Sequence, residues 1–225
     1  MTPMHPAPRL ILTLALAAAA VPAVAAQQTQ PSTQAVDAGT PRGALRALNH
    51  AMRSGDEGAI KQLFLATTPA EARMIDADAK MAAALAHLRV AAAAAYGSQG
   101  ADAVTGDSDT GAAEGAARID AADISVDGDT ATVTYRDEKN AAFVLKRVEG
   151  RWKVPAAQLG KPLDPAALDQ RLADLALQRQ VVEEVTDQIK QRKFAGAEQA
   201  REAWRARILQ AATSQPTTRA DRRAP

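Results

Sequence analysis

The chain has no cysteine among its 225 residues. This absence excludes disulfide bonds, thiolate catalysis, cysteine-ligated zinc and iron–sulfur clusters, since each needs the sulfur atom. It also excludes a lipoprotein anchor, which requires a cysteine to carry the acyl chain. Histidine occurs only three times, and no histidine pair or histidine–carboxylate pair has the spacing of metal ligands. We therefore predict no metal and no cofactor.

Large apolar side chains and excess charge are also scarce. Aromatic residues make up 3% of the chain, and alanine alone supplies about a quarter of it, so little bulk is available to fill a core. The formal net charge is +1. A nucleic-acid-binding surface needs a basic excess to displace counterions, so we expect no nucleic-acid partner.

The first 26 residues have the pattern of a secretory signal peptide. Arg9 and the amino terminus supply positive charge, and a 12-residue apolar stretch follows from Leu10 to Val21. Pro22 and a run of small residues then suit signal peptidase, with cleavage near Ala25 or Ala26. A membrane-spanning helix would need about 20 apolar residues. We expect an exported protein, periplasmic or secreted, with no membrane insertion after cleavage.

The composition divides the rest of the chain into four segments. Residues 27–40 are polar and aperiodic and predict a flexible leader, and residues 213–225 predict a disordered tail. Between them, residues 41–160 predict an α+β domain, and residues 161–212 a C-terminal helical extension.

Apolar periodicity and capping residues predict three helices at the start of this domain. The first opens at Pro41 and stops at Gly55, and Asp56 caps a second helix with Ile60, Leu63 and Phe64 on one face. Thr68 and Glu71 form a capping box that opens a long helix reaching about Tyr96. Residues 96–122 are rich in glycine and aspartate, and we expect a loop with one or two short helical turns.

Alternation of apolar and polar residues then predicts a four-stranded antiparallel meander. Its strands start near Asp123 and cover residues 130–136, 141–148 and 151–154, with a hairpin turn at residues 127–129. Asp164 caps a helix over residues 165–193, whose near-heptad seam is interrupted by Arg179 and Thr186. A final helix reaches about Ala212, so the chain ends in a helical hairpin or arm.

Two segments together are similar to a known family. One is the helix–Gly55–Asp56–helix start, and the other is the run from Val126 to Val133 followed by Phe143 to Val154 with its Trp152. Over residues 42–155 the chain resembles small exported members of the nuclear transport factor 2-like superfamily. The resemblance implies a cone-shaped α+β domain with helices packed into a curved sheet. This chain departs from the pattern by a long helix in place of the early strand pair, and by two added C-terminal helices.

Catalytic members of that superfamily use a histidine–aspartate pocket or a pocket of aspartate and tyrosine, which directs attention to His50 and His87. Either imidazole would become a catalytic candidate if it faced inward and paired with Asp76 or Asp78. A lone histidine on a helix is more often a surface or boundary residue, so we predict no catalytic residue.

The acidic stretch of residues 102–129 does not match a calcium loop. It contains eight acidic residues and one arginine, Arg118. An EF-hand loop needs an acid at position five, glycine at six and glutamate at twelve, but a loop starting at Asp107 has Gly111, Ala112 and Arg118 there. We expect a solvated acidic loop. For Tyr135 and Trp152 we expect core packing.

The sequence as a whole favours an exported, non-enzymatic α+β protein that binds a partner protein or a small ligand. The ligand would use the hollow between helices and sheet, or the C-terminal helical arm. Two alternatives stay open. One is a pocket hydrolase or isomerase built around His50 or His87. The other is a structural envelope protein that self-associates as a homodimer through residues 164–212.

Overall fold

The structure, a computed structural model, describes residues 38–106, 109–136, 142–159 and 164–213. The predicted signal peptide, most of the leader and almost all of the tail lie outside these ranges. The elements, in chain order, are α1 (Pro41–Ser54), α2 (Glu57–Leu63), β1 (Phe64–Leu65), α3 (Pro69–Thr105), α4 (Asp109–Ala121), β2 (Asp123–Asp127), β3 (Thr130–Thr134), β4 (Ala142–Val148), β5 (Arg151–Pro155), a 3₁₀ helix (Ala156–Leu159), α5 (Pro165–Lys190) and α6 (Ala197–Thr213).

The helix starts and stops follow the predicted capping residues. Asp56 accepts from the Ala59 N–H at 2.9 Å and begins α2. Thr68 and Glu71 form the predicted capping box at the start of α3. Gly55 ends α1 in the left-handed conformation, with φ of 70°, which costs glycine little because it lacks a Cβ atom. These short-range interactions therefore act as the sequence indicates.

The sheet has five strands in the order β1-β5-β4-β3-β2, so the prediction of four antiparallel strands is wrong in part. Strands β2 to β5 form the predicted antiparallel meander. The fifth strand, β1, pairs parallel to β5, with Phe64 opposite Val154. We expected Phe64 on α2, but its extended backbone ends that helix at Leu63. Only the presence of the β5 edge beside this segment makes it a strand.

The predicted loop at residues 96–122 is also corrected, because most of it is helical. Helix α3 continues past Tyr96 to Thr105 across a break at Gly97, which has φ of 79° and ψ of 176°. Helix α4 follows, and its five alanines have a helix propensity that outweighs Gly111 and Gly115. Tertiary contacts hold α4 as well, since Arg42 donates to the carbonyl of Ala122 at 2.7 Å.

One hydrophobic core lies between the sheet and helices α1 to α4. Its sheet side consists of Ala131, Val133, Leu145, Trp152 and Val154, all of which are almost fully buried. Trp152 is 2% exposed, which agrees with the expected core packing. The end of the predicted leader also contacts this core, because the backbone N–H of Trp152 donates to the Ala38 carbonyl at 2.9 Å.

A second core is entirely helical and is shared by α3, α5 and α6. Leu88, Ala92, Val185 and Ile189 lie at its centre with essentially no exposure. Thr186, expected to interrupt the α5 seam, is buried and donates its hydroxyl to the Val182 carbonyl at 2.7 Å. Because this bond satisfies the hydroxyl, threonine is accommodated inside the seam.

Helices α3 and α5 run parallel to each other. Arg73 of α3 pairs with Asp169 of α5 near the start of both helices, and Arg192 just beyond α5 donates to the Ala95 carbonyl near the Gly97 break. Residue numbers thus rise in the same direction along both helices. Helix α5 ends at Lys190 instead of the predicted residue 193, and α6 then packs on both α5 and α3. The predicted C-terminal hairpin therefore packs along α3.

The turn between α1 and α2 lies very close to α3. A Cβ atom added at Gly55 would lie 2.7 Å from Ala83 Cα and 2.8 Å from Ala86 Cβ. Gly106 has the same φ of 70° at a helix end but no atom within 4 Å of such a Cβ. Substituting Gly106 therefore tests the backbone conformation alone, whereas substituting Gly55 tests the same conformation together with close packing against α3.

We predict that Gly106→Ala lowers the free energy of unfolding by about 1–2 kcal/mol, the cost of a left-handed alanine. Gly55→Ala should cost roughly 1–3 kcal/mol more, because α3 must move to admit the new methyl group. Urea unfolding of both variants beside the unsubstituted protein measures the difference. Equal decreases in the free energy of unfolding of the two variants would show that the α1–α2 turn is not closely packed against α3.

Candidate functional site

The two candidate histidines lie on the surface. His50 on α1 and His87 on α3 are both exposed, and no hydrogen bond or ion pair joins either imidazole to Asp76 or Asp78. The structure therefore does not assemble the pocket that either histidine would need.

Asp76 is instead the centre of a lysine cluster. Its carboxylate lies 2.5 Å from Lys61 Nζ and 2.6 Å from Lys80 Nζ. The hydrogen bonds from Lys61 and then Lys80 hold the pKa of Asp76 below its ordinary value. The same contact with Asp76 raises the pKa of Lys61. This cluster ties α2 to the first turns of α3.

Asp78 occupies the side of α3 that faces α5. Burial raises the pKa of its carboxyl, and the charge of Arg171 on α5 opposes this effect. The helical period could have located it, because position 78 is four residues after Met74 and three before Met81 in the apolar stripe. Asp78 is thus a half-buried acid in a helix seam.

Three of the acidic residues considered for calcium, Asp120, Asp123 and Asp129, lie in separate ion pairs. Asp120 lies 2.6 Å from Arg46, and Asp129 lies 2.8 Å from Arg147. Asp107 lies outside the described residues. Within the described ranges, no group of three or more histidine, aspartate or glutamate side chains could hold a metal ion.

Within the described residues, side chains pack together between the helices and the sheet, where a ligand hollow was expected. Besides the buried sheet face, Tyr135 packs half-buried against this core, and the Arg118 guanidinium lies 4.4 Å from its ring centroid. Phe143 also packs against the core. The described grooves instead lie on the helical half, along α3.

The first groove lies between the first half of α3 and α5, and we call it the α3–α5 groove. Its volume is about 470 Å³, within the range of small-molecule sites. Leu172 and Leu175 form an apolar floor, and three alanines keep the walls low. The charged lining residues are Arg73, Asp76, Lys80 and Arg179.

Three cations and one carboxylate line this groove. Each cation already has a carboxylate partner: Arg73 with Asp169 at 2.8 Å, Lys80 with Asp76 at 2.6 Å, and Arg179 with Glu183 at 2.7 Å. All three cationic side chains are more than one-third exposed. Exposed ion pairs of this kind contribute only about 0–1 kcal/mol, so an incoming anion can exchange with them at small cost.

The second groove lies between the last turns of α3 and helix α6, and we call it the α3–α6 groove. Its volume is about 490 Å³ and its lining is mainly apolar, with Val104, Trp204, Ile208 and Leu209. Leu209 is 67% exposed. The Trp204 indole nitrogen is buried and has no hydrogen-bond partner within the described residues. The spacing of Trp204 and Ile208, four residues apart, places both on one side of α6, but the groove itself also needs the end of α3.

Comparison with known protein families, with curated proteins and with solved structures found no match to this chain. The resemblance to the nuclear transport factor 2-like superfamily therefore stays a prediction. Within the described residues, no helix has the length and apolar character to cross a membrane.

The partial burial of Asp78 between α3 and α5 leads to a testable prediction. Asp78→Asn should raise the free energy of unfolding at neutral pH by a few tenths to about 1 kcal/mol, because the half-buried carboxylate charge is then removed and the nearby Arg171 is exposed to solvent. Because folding raises the pKa of this carboxyl, the protein loses stability as pH rises from near 3.8, the ordinary pKa, to above the pKa in the folded state. The advantage of the variant should therefore disappear as pH falls through that window.

Denaturant unfolding between neutral and acidic pH measures this effect. Asp127→Asn, at an exposed strand position, is the matched control and should change stability by less than about 0.5 kcal/mol at any pH. An Asp78→Asn variant less stable than the unsubstituted protein at neutral pH would contradict the assignment.

Proposed function

We propose that this chain is an exported, non-enzymatic binding protein that holds a small amphiphilic anion in the α3–α5 groove. The observation that carries the proposal is that Arg73, Lys80 and Arg179 line one groove together with Leu172 and Leu175. A carboxylate would accept hydrogen bonds from Lys80 and Arg179, and an alkyl chain would cover the two leucines.

The parallel register of the helices orients the ligand. Arg73 lies near the start of the groove, beside Asp169, whereas Lys80 and Arg179 lie toward its other end. Seven helical residues separate Arg73 from Lys80, a rise of about 10 Å. That length suits a carboxylate with a chain of about eight carbons, its head group between Lys80 and Arg179.

The residues around the groove support binding without catalysis. No histidine lines it, and its one carboxylate, Asp76, is held by two lysines and carries a lowered pKa. A carboxylate in that state is a weak general base at neutral pH. The export part of the proposal is supported by the signal-peptide pattern of residues 1–26.

Titration calorimetry with three matched probes tests the binding proposal. Octanoate should bind, whereas acetate lacks the apolar chain and octyltrimethylammonium has the wrong charge, so both should bind at least tenfold more weakly. Lys80→Gln and Arg179→Gln should each weaken octanoate binding about threefold to tenfold, which corresponds to the loss of one solvent-exposed hydrogen bond of about 0.7–1.4 kcal/mol. Arg73→Gln should have a smaller effect.

The control for these variants is Arg205→Gln, which removes an exposed cation from the other groove. It should leave octanoate affinity unchanged. Equal binding of octanoate and octyltrimethylammonium, or equal losses in Arg179→Gln and Arg205→Gln, would contradict the assignment of the groove.

Export is tested separately by the mass of the protein recovered outside the cytoplasm of its host. The mature chain should begin at Ala26 or Gln27, because cleavage is expected after Ala25 or Ala26. A chain retained in the cytoplasm with Leu10–Val21 still attached would contradict export while leaving the groove proposal intact.

A further inference from the structure

The α3–α6 groove has features that a second copy of this chain would complete. Its walls are the last turns of α3 and one side of α6, and its lining is mostly apolar. Leu209 belongs to this lining and is 67% exposed, so the surface carries both an apolar groove and an apolar side chain free to enter one.

Opposite charges without partners lie on the two walls. The Asp102 carboxylate is on the α3 wall and the Arg205 guanidinium is on the α6 wall. Neither has an ion-pair partner within the ranges that the structure describes. The other arginine in the lining, Arg201, is already paired with Glu198 on its own helix. The charges left for a partner are therefore one acid and one base.

This arrangement is self-complementary about a two-fold axis that runs along the groove. Such an axis places α6 of one copy over α3 of the other, so each unpaired cation faces an unpaired acid, and the contact occurs twice. A partner of uniform charge would match one wall and be repelled by the other.

The chain's own C-terminal tail does not supply a better occupant. Residues 214–225 contain no large apolar side chain and three arginines, so they have nothing to fill the apolar part of the groove. A second copy supplies Leu209, Ile208 and the opposite charge together.

We propose that two copies of this protein form a symmetric dimer through the α3–α6 groove, with Leu209 of each copy in the groove of the other and Asp102 paired with Arg205 across the interface. This surface is separate from the α3–α5 groove. The dimer does not depend on ligand binding there.

Sedimentation equilibrium over a range of concentrations tests the proposal. The unsubstituted protein should be dimeric at the higher concentrations. Leu209→Glu should be monomeric, and Arg205→Asp and Asp102→Arg should each raise the dimer dissociation constant at least about tenfold, because like charges then meet at two symmetric positions. The Asp102→Arg variant should fold, because a positive charge is favourable near the C-terminal end of a helix such as α3.

Mixing the two charge variants gives the decisive measurement. In a mixed dimer of Arg205→Asp with Asp102→Arg, both inter-chain pairs are again of opposite sign, so mixing should restore the dimer affinity that each variant loses alone. Arg73→Asp, at an ion-paired position in the other groove, is the control and should not alter the dimer. Urea unfolding of every variant verifies that it is folded.

Three results would overturn the proposal. They are a monomeric unsubstituted protein at every concentration, a Leu209→Glu dimer of undiminished affinity, and folded charge variants whose mixture dimerises no more tightly than either variant alone. The last result would place any self-association on another surface.

Discussion

The close approach of other elements to α3 is the constraint on which the rest of the structure depends. Alanines occupy much of its buried surface, including Ala79, Ala83 and Ala92, and their small side chains let neighbouring backbones come near. The α1–α2 turn uses this space at Gly55. One helix thereby belongs to both hydrophobic cores, and it couples the sheet-containing half to the helical half. A chain with few aromatic residues can bury its core in this way because contact area comes from proximity instead of bulk.

The same scarcity of bulk accounts for the surface grooves. Where alanines line both α3 and α5, the walls of the groove stay low, and the long cationic side chains extend over an apolar floor. Near Gly106, α3 ends while α6 continues, and Leu209 is left without a cover. The interior facing the sheet, by contrast, is filled by Trp152 and its neighbours. Binding surfaces are thus favoured on the helical half, where small residues leave space and charges remain within reach.

Local signals predicted much of the fold. Capping by Asp56 and Thr68, the left-handed Gly55 and the strands of the meander all depend on interactions within a few residues, which a sequence pattern can show. The errors have non-local causes. Strand β1 needs the β5 edge, 90 residues away along the chain, and α4 is a weak helix that Arg42 and Arg46 of α1 hold in place. The sequence spacing places Asp78 within the apolar stripe of α3, but the burial of its carboxyl also depends on the packing of α5.

The sequence by itself determined the absence of thiol chemistry, the caps of the helices, the alternation of the strands and the export pattern, because these depend on residue type and short spacing. Only the tertiary structure decided that His50 and His87 stay exposed, and that Lys80 and Arg179 line the same groove. Nearly 100 residues separate these two cations, and no local rule relates them. Their place in one groove depends on the parallel packing of α3 and α5, which buries the apolar seam of α5 against α3.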